Sequence, residues 1–103
     1  MIHELKITPE LFNDVFYNGR NFLIRRFDQD FQLGDIVKLS EWYKGNFTQR
    51  ATARRITYIL RGDGSYGLSP DYCILSIVEL ANWEKGKLTD EELSLIRGCD
   101  ANF

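Results

Sequence analysis

The chain is poor in the residues from which small reactive sites are built: one histidine, two cysteines, two prolines and one methionine among 103 residues. His3 stands alone, and Cys73 and Cys99 are too far apart to form a metal-ligand spacing, so no dedicated transition-metal site is expected. No serine lies in a nucleophile-elbow setting, which with a single histidine removes triad hydrolysis. "GDGSYG" at 62–67 has glycines without the spacing or the strand-to-helix setting of a phosphate loop, so nucleoside triphosphate binding is rejected and no cofactor is implied. Long apolar runs are missing too. Nothing approaches the roughly 20 residues of a membrane span. The opening "MIHELKITPE" lacks the basic start and apolar stretch of a signal peptide. The expectation is a cytoplasmic protein with no membrane partner and two thiols, Cys73 buried in "YCILSIV".

What is present is ample for folding. At 44% hydrophobic, 14% aromatic and 27% charged residues, the chain has the composition of one globular domain with one core. Its net charge of -2 is unevenly spread. From Arg20 to Arg61, nine basic residues stand against four acidic ones, a local balance of +5 that leaves -7 elsewhere. Two readings follow: a basic face for an anionic ligand, or charges that strand order mixes over a solvated surface.

"IHELKI" alternates, with His3, Leu5 and Ile7 on one face, and predicts a strand. "TPELFNDVFYNG" changes period: Thr8 caps, Pro9 starts, Gly19 stops, and Leu11, Phe12, Val15 and Phe16 form the apolar stripe of a helix. "FLIRRF" returns to period 2, with Phe22, Ile24 and Arg26 on one face and Leu23, Arg25 and Phe27 on the other. Phe22, Leu23, Ile24 and Phe27 are expected to build the core and Arg26 to face water. "DIVKLSEWY" places Val37, Leu39, Glu41 and Tyr43 together and sets Trp42 on the opposite face with Ile36, Lys38 and Ser40, away from the core. "KGNFTQR" is read as a loop before the strand "ATARRITYILR", whose inward side takes Ile56, Tyr58 and Leu60. The loop "GDGSYGLSPD" leads into "YCILSIVEL", apolar on both faces like a central strand. "LTDEELSLIRG" closes the pattern with a capping box at Thr89 and Glu92 and a stop at Gly98. The sum is an α+β domain: a small mixed β-barrel of about five strands, a helix after the first strand and a short C-terminal helix. Residues 1–80 would form the barrel and 81–103 a helical extension on the same domain.

The blocks "HELKI", "GRNFLIRRFDQDFQLGD", "SEW", "RRITYIL" and "YCILSI", in that order, resemble the small bacterial and phage domains of unknown function in the ASCH superfamily, over roughly residues 3 to 78. The resemblance implies a PUA-like barrel with a cleft beside the helix and RNA or a nucleotide as ligand, in a superfamily that includes nucleotide-modifying hydrolases and ribonucleases. It also implies a lysine after Gly-x, then Thr or Glu. Here Asn21 takes the lysine position, or that position is deleted, and on the latter alignment Leu23 takes the Thr or Glu position. Arg20 could replace the charge but not the chemistry, because a guanidinium does not lose its proton near neutral pH.

On these grounds the nucleic-acid contacts are placed at Lys6, Arg20, Asn21, Arg25, Trp42 and Arg50, with His3, Glu41 and Tyr66 as cleft candidates. Arg25 aligns with the superfamily arginine; its alternative is a structural pair with Asp28, Asp30 or Glu41. His3 on a strand with Leu5 and Ile7 reads first as a hydrogen-bonded core residue. Trp42 would stack on a base or cover the terminal helix, and Tyr66 would tip a flap or an ordinary hairpin loop. The first functional reading is an RNA-binding module. The second is a small nucleoside amidohydrolase or ribonuclease that uses Lys6 and Glu41 in one cleft. The third is a phage or mobile-element accessory protein that binds a host protein.

Overall fold

The computed structural model describes residues 1–99, the side chain of Asn82 excepted, so the end of the expected C-terminal extension lies outside the described residues. Five strands form one sheet: β1 (Ile2–Ile7), β2 (Phe22–Arg26), β3 (Ile36–Tyr43), β4 (Asn46–Arg61) and β5 (Tyr72–Glu79), in the order β1-β3-β4-β5-β2. Only β1 and β3 run parallel; β3-β4, β4-β5 and β5-β2 are antiparallel. The sheet curls into a half-barrel. Its edges, β1 and β2, are not hydrogen-bonded to each other, so the closure expected of a full barrel is not made among the described residues.

Helix α1 (Pro9–Phe16) fills the inner face. Thr8 caps it by accepting the Leu11 amide at 3.2 Å, a contact worth about 1 kcal/mol in comparable helices. Gly19 takes φ +78°, where a left-handed backbone favours glycine, and the chain turns back so that the Arg20 amide donates to the Asp14 carbonyl at 2.9 Å. Phe12 and Val15 pack with Leu5, Leu23, Val37 and Leu75 in the main core.

The sheet has a second, smaller core on its outer face. Ile36 and Ala53 lie there under Leu80, Ile96 and Cys99, which the C-terminal segment brings back across β1, β3 and β4. That segment holds α2 (Asn82–Lys85) and α3 (Asp90–Leu95), and α3 carries the expected capping box of Thr89 and Glu92. Arg55 on β4 ties α2 down through its Nε, 2.9 Å from Glu84 Oε1. Ile36 and Ser40 are therefore buried on the side expected to face away from the core, and Cys99 is buried like Cys73.

Three local expectations change. "KGNFTQR" is mostly strand: Lys44 and Gly45 alone make the turn, at φ 50° and 83°, the left-handed geometry that suits a twisted two-residue hairpin. A register shift between Ile56 and Tyr58 then reverses which residues of β4 point inward, so Tyr58 is exposed and Ile59 packs on the core. Phe22 and Ile24 keep the predicted alternation but face solvent, because no element among the described residues covers that side of β2; Leu23 alone of the "FLI" run is fully buried. Arg26 is exposed as expected.

Candidate nucleic-acid interface

The expected contact residues do not gather in one place. Around β1 and the β3-β4 hairpin, Lys6 sits with its Nζ 4.1 Å from the Trp42 ring centroid and 5.9 Å from that of Phe47. Trp42 and Phe47 meet edge-on, centroids 4.7 Å apart, because the tight turn puts them opposite each other in the ladder. Beside them a cleft of about 240 Å³ opens between the sheet and the C-terminal segment, lined by Phe47, Lys38, Gln49, Arg50 and Arg97 among others. Lys38 is paired to Glu4 at 3.4 Å. Lys6 and Arg97 have no ion-pair partner among the described residues.

On the other side of the same strands, Glu41 is buried and held by three donors. Arg50 gives it Nε at 2.9 Å and Nη2 at 2.5 Å, and the Thr48 hydroxyl donates at 2.5 Å. The Arg50 bonds, helped by Thr48, outweigh burial and hold the Glu41 carboxyl below its usual range. A register shift after Ser40 makes this possible, since Thr48, Gln49 and Arg50 together oppose Glu41 and Gln49 takes φ +78°. Arg50 also reaches Asn13 Oδ1 at 3.2 Å and lies 4.4 Å over Phe12, so it joins the hairpin to α1. Lys6 and Glu41 were expected in one cleft as base and carboxylate. Their register neighbours are Ser40 and Ile7, on opposite faces of the sheet, and Glu41 has an arginine for its partner.

His3 lies in the core. Its Nδ1 is 2.8 Å from Gln29 Oε1 and its Nε2 is 2.8 Å from Asp35 Oδ2, with the ring tilted on Phe31. Asp35 also takes the N-terminal amine at 3.2 Å and the Gln32 amide at 3.1 Å. Burial pushes that carboxyl up, but the bonds from His3, the amine and the amide together leave it below its usual range. The His3 cluster thus fastens the loop after β2 onto β1.

The remaining candidates sit apart from these. Arg20 donates Nε to the Phe22 carbonyl at 3.0 Å and covers the Phe22 ring, with Asp14 at 3.8 Å. Asn21 is exposed, and its carbonyl accepts the Ile77 amide. Arg25 is half-buried opposite Cys73 on the inner side of β2 and makes no hydrogen bond or ion pair among the described residues; Asp28, Asp30 and Glu41 do not take it. Burial pushes the Cys73 thiol up, against the opposing pull of Arg61 and Arg25. Tyr66 is 95% exposed in the 62–71 loop. Among the described residues, no three His, Cys, Asp or Glu side chains are placed to hold a metal, and no helix is long and apolar enough to cross a membrane.

Phe47, Lys38 and Arg97 were missed from the sequence. Phe47 was read into a loop, although Lys44-Gly45 flanked by aromatics is a hairpin signal. Arg97 reaches the cleft only through the return of the C-terminal segment, which no local pattern announces.

The structure thus defines a small α+β half-barrel domain with an aromatic-and-basic cleft on the outer face of its β1-β3-β4 half. Residues 2–77 match the family model described as "Domain of unknown function (DUF3850)", and the chain belongs to that family. It is also 36% identical over 56 residues to an uncharacterized 12.9 kDa protein in the GpA 3′ region of Escherichia phage P2, a match spanning 54% of this chain and about half (51%) of the phage protein.

Proposed function

We propose that this domain binds RNA, with the cleft beside Lys6, Trp42 and Phe47 as its contact surface. The observation that carries the reading is the Lys6–Trp42–Phe47 cluster beside a cleft that also presents Lys38 and Arg97. Phosphates are attracted by such cations in a salt-dependent way, and a half-exposed ring such as Phe47 offers a stacking face to an unpaired base. The resemblance to the ASCH superfamily and its PUA-like barrels supports the same ligand. Recognition of this kind suits single strands or RNA shape rather than duplex sequence. Arg25, at the opposite edge of the sheet, has no hydrogen-bond or ion-pair partner among the described residues and is the remaining candidate for a second phosphate contact. Arg20, Asn21 and Tyr66 lie outside the cleft, and His3 serves the core.

The hydrolase reading finds less support, because Arg50 holds the Glu41 carboxyl below its usual range and Lys6 lies on the opposite face of the sheet. The accessory-protein reading has the phage relative behind it.

The test is a titration of labelled single-stranded RNA, structured RNA and matched DNA at low and near-physiological salt. The expected result is RNA binding that weakens with salt, weakens further in Phe47→Ala, and loses about one unit of salt slope in Lys6→Ala. Absent or salt-independent binding would contradict the reading, and a co-purifying protein partner with no RNA affinity would favour the accessory role.

A further inference from the structure

The β2 edge of the sheet is open and chemically self-matching. In the β2-β5 ladder the Ile77 amide donates to the Asn21 carbonyl, and the Phe27 amide to the Asp71 carbonyl. Antiparallel pairing alternates, so Leu23 and Arg25 also turn their amides and carbonyls toward β5, while those of Phe22, Ile24 and Arg26 turn outward. Among the described residues only one of these outward groups has a partner, the Phe22 carbonyl, which takes the exposed Nε of Arg20. Beside the exposed Arg26, the outer face of this edge leaves apolar side chains at the surface: Phe22, 40% exposed with Arg20 over its ring, and Ile24, 52% exposed, next to Tyr72 and Tyr58. A bare strand edge next to a bare apolar face is a surface that natural proteins pair or cover.

We propose that this edge pairs with the same edge of a second copy, antiparallel about Ile24, joining two five-stranded sheets into one. The choice of occupant rests on charge. Three registers centred inside the strand, on Leu23, Ile24 or Arg25, keep outer side chains opposite outer side chains. Centring on Leu23 sets Arg20 against the second copy's Arg26, and centring on Arg25 sets Arg25 against itself; both oppose like charges. Centring on Ile24 sets Ile24 against itself, Phe22 against Arg26, Leu23 against Arg25, and Arg20 against Asp28. Every cation then meets an apolar or aromatic side chain or a carboxylate, and the outward groups of Phe22, Ile24 and Arg26 all find partners. Arg20 leaves its own Phe22 carbonyl to reach the second copy's Asp28. Arg25 and Arg26 of "FLIRRF", with Arg20, are then the device that selects one register.

Sedimentation of the intact chain from micromolar to submillimolar concentration tests this directly. The wild type is expected to show a reversible monomer-dimer equilibrium. Ile24→Lys opposes two ammonium groups on the axis and should weaken the dimer about tenfold or more. Its exposed site leaves the monomer fold unchanged, checked by circular dichroism. Ile24→Cys should give a covalent dimer on mild oxidation, since directly opposed residues lie within about 5.5 Å of each other, inside disulfide reach. Arg26→Cys should not, its copies being about 13 Å apart in this register. A wild type that stays monomeric throughout would overturn the proposal. So would a dimer that Ile24→Lys leaves intact, or one in which Ile24→Cys fails to cross-link.

Discussion

The two halves of the sheet's outer face differ more than its two faces do. Over β1, β3 and the start of β4 the C-terminal segment lays Leu80, Ile96 and Cys99 on Ile36 and Ala53, and the edge of that cover makes the basic cleft. Over the end of β4, β5 and β2 no described segment is laid down, and Phe22, Ile24, Tyr58, Tyr72 and Val78 are left at the surface. The covering segment lies mostly beyond the part that matches the family, residues 2–77. One half of a continuous sheet therefore spends its apolar surface on stability, while the other keeps it available. The difference arises from a few residues of chain path rather than from strand composition, which is apolar in both halves.

Stability should therefore respond unequally to truncation on the two sides. Ile96→Ala removes a fully buried side chain from the small outer core and is expected to cost about 2–4 kcal/mol in denaturant titration. Arg50→Ala comes next. It leaves the buried Glu41 without its main donor, and about 1–2 kcal/mol is expected, below the full penalty of a broken buried pair because the arginine itself is partly exposed. Four carboxylates are held below their usual range, Asp35, Glu41, Asp63 and Glu84, and the buried two, Asp35 and Glu41, carry the prediction for pH dependence. Asp35 and Glu41 have folded values below their ordinary 3.8 and 4.5, so their contributions are fully present above that range and lost as pH falls through the folded values. Acid unfolding should therefore shift to higher pH in Arg50→Ala, where Glu41 loses the donor that favours its ionised form. On the uncovered half, Tyr58→Ser and Ile24→Ser should stay within about 0.5 kcal/mol of wild type. The smallest effect is expected at the hairpin: Lys44→Asn suits the left-handed backbone there and should stabilise by a few tenths of a kcal/mol, read as a small rise in midpoint.

Much of the backbone was legible because it is written locally. Thr8 and Thr89 announce their helices by side-chain chemistry that acts within three residues, and both caps are present. The alternation of β1 and β2 also holds, as does the reading of His3 as a hydrogen-bonded core residue. What failed depends on register. The shifts at Glu41 and Thr57 each break the count by which a strand's faces are assigned, and neither residue type advertises a bulge. Phe22 and Ile24 look like core because apolar strands are usually covered, and coverage is decided by a distant segment. The candidate site was legible in part: Lys6, Trp42 and Arg50 were chosen for charge and aromaticity, but that Lys6 and Glu41 lie on opposite faces depends on the β1-β3 pairing, a long-range contact. The same holds for Arg97, which enters the cleft from the far end of the chain.

The most direct measurement is a backbone-amide NMR titration of the domain with a short single-stranded RNA at low salt. The account predicts shift changes clustered at Lys6, Lys38, Trp42, Phe47 and Arg97, on the covered half, that fade as salt is raised. Changes centred on Ile24, Tyr58 and Tyr72, or none at any concentration, would contradict it.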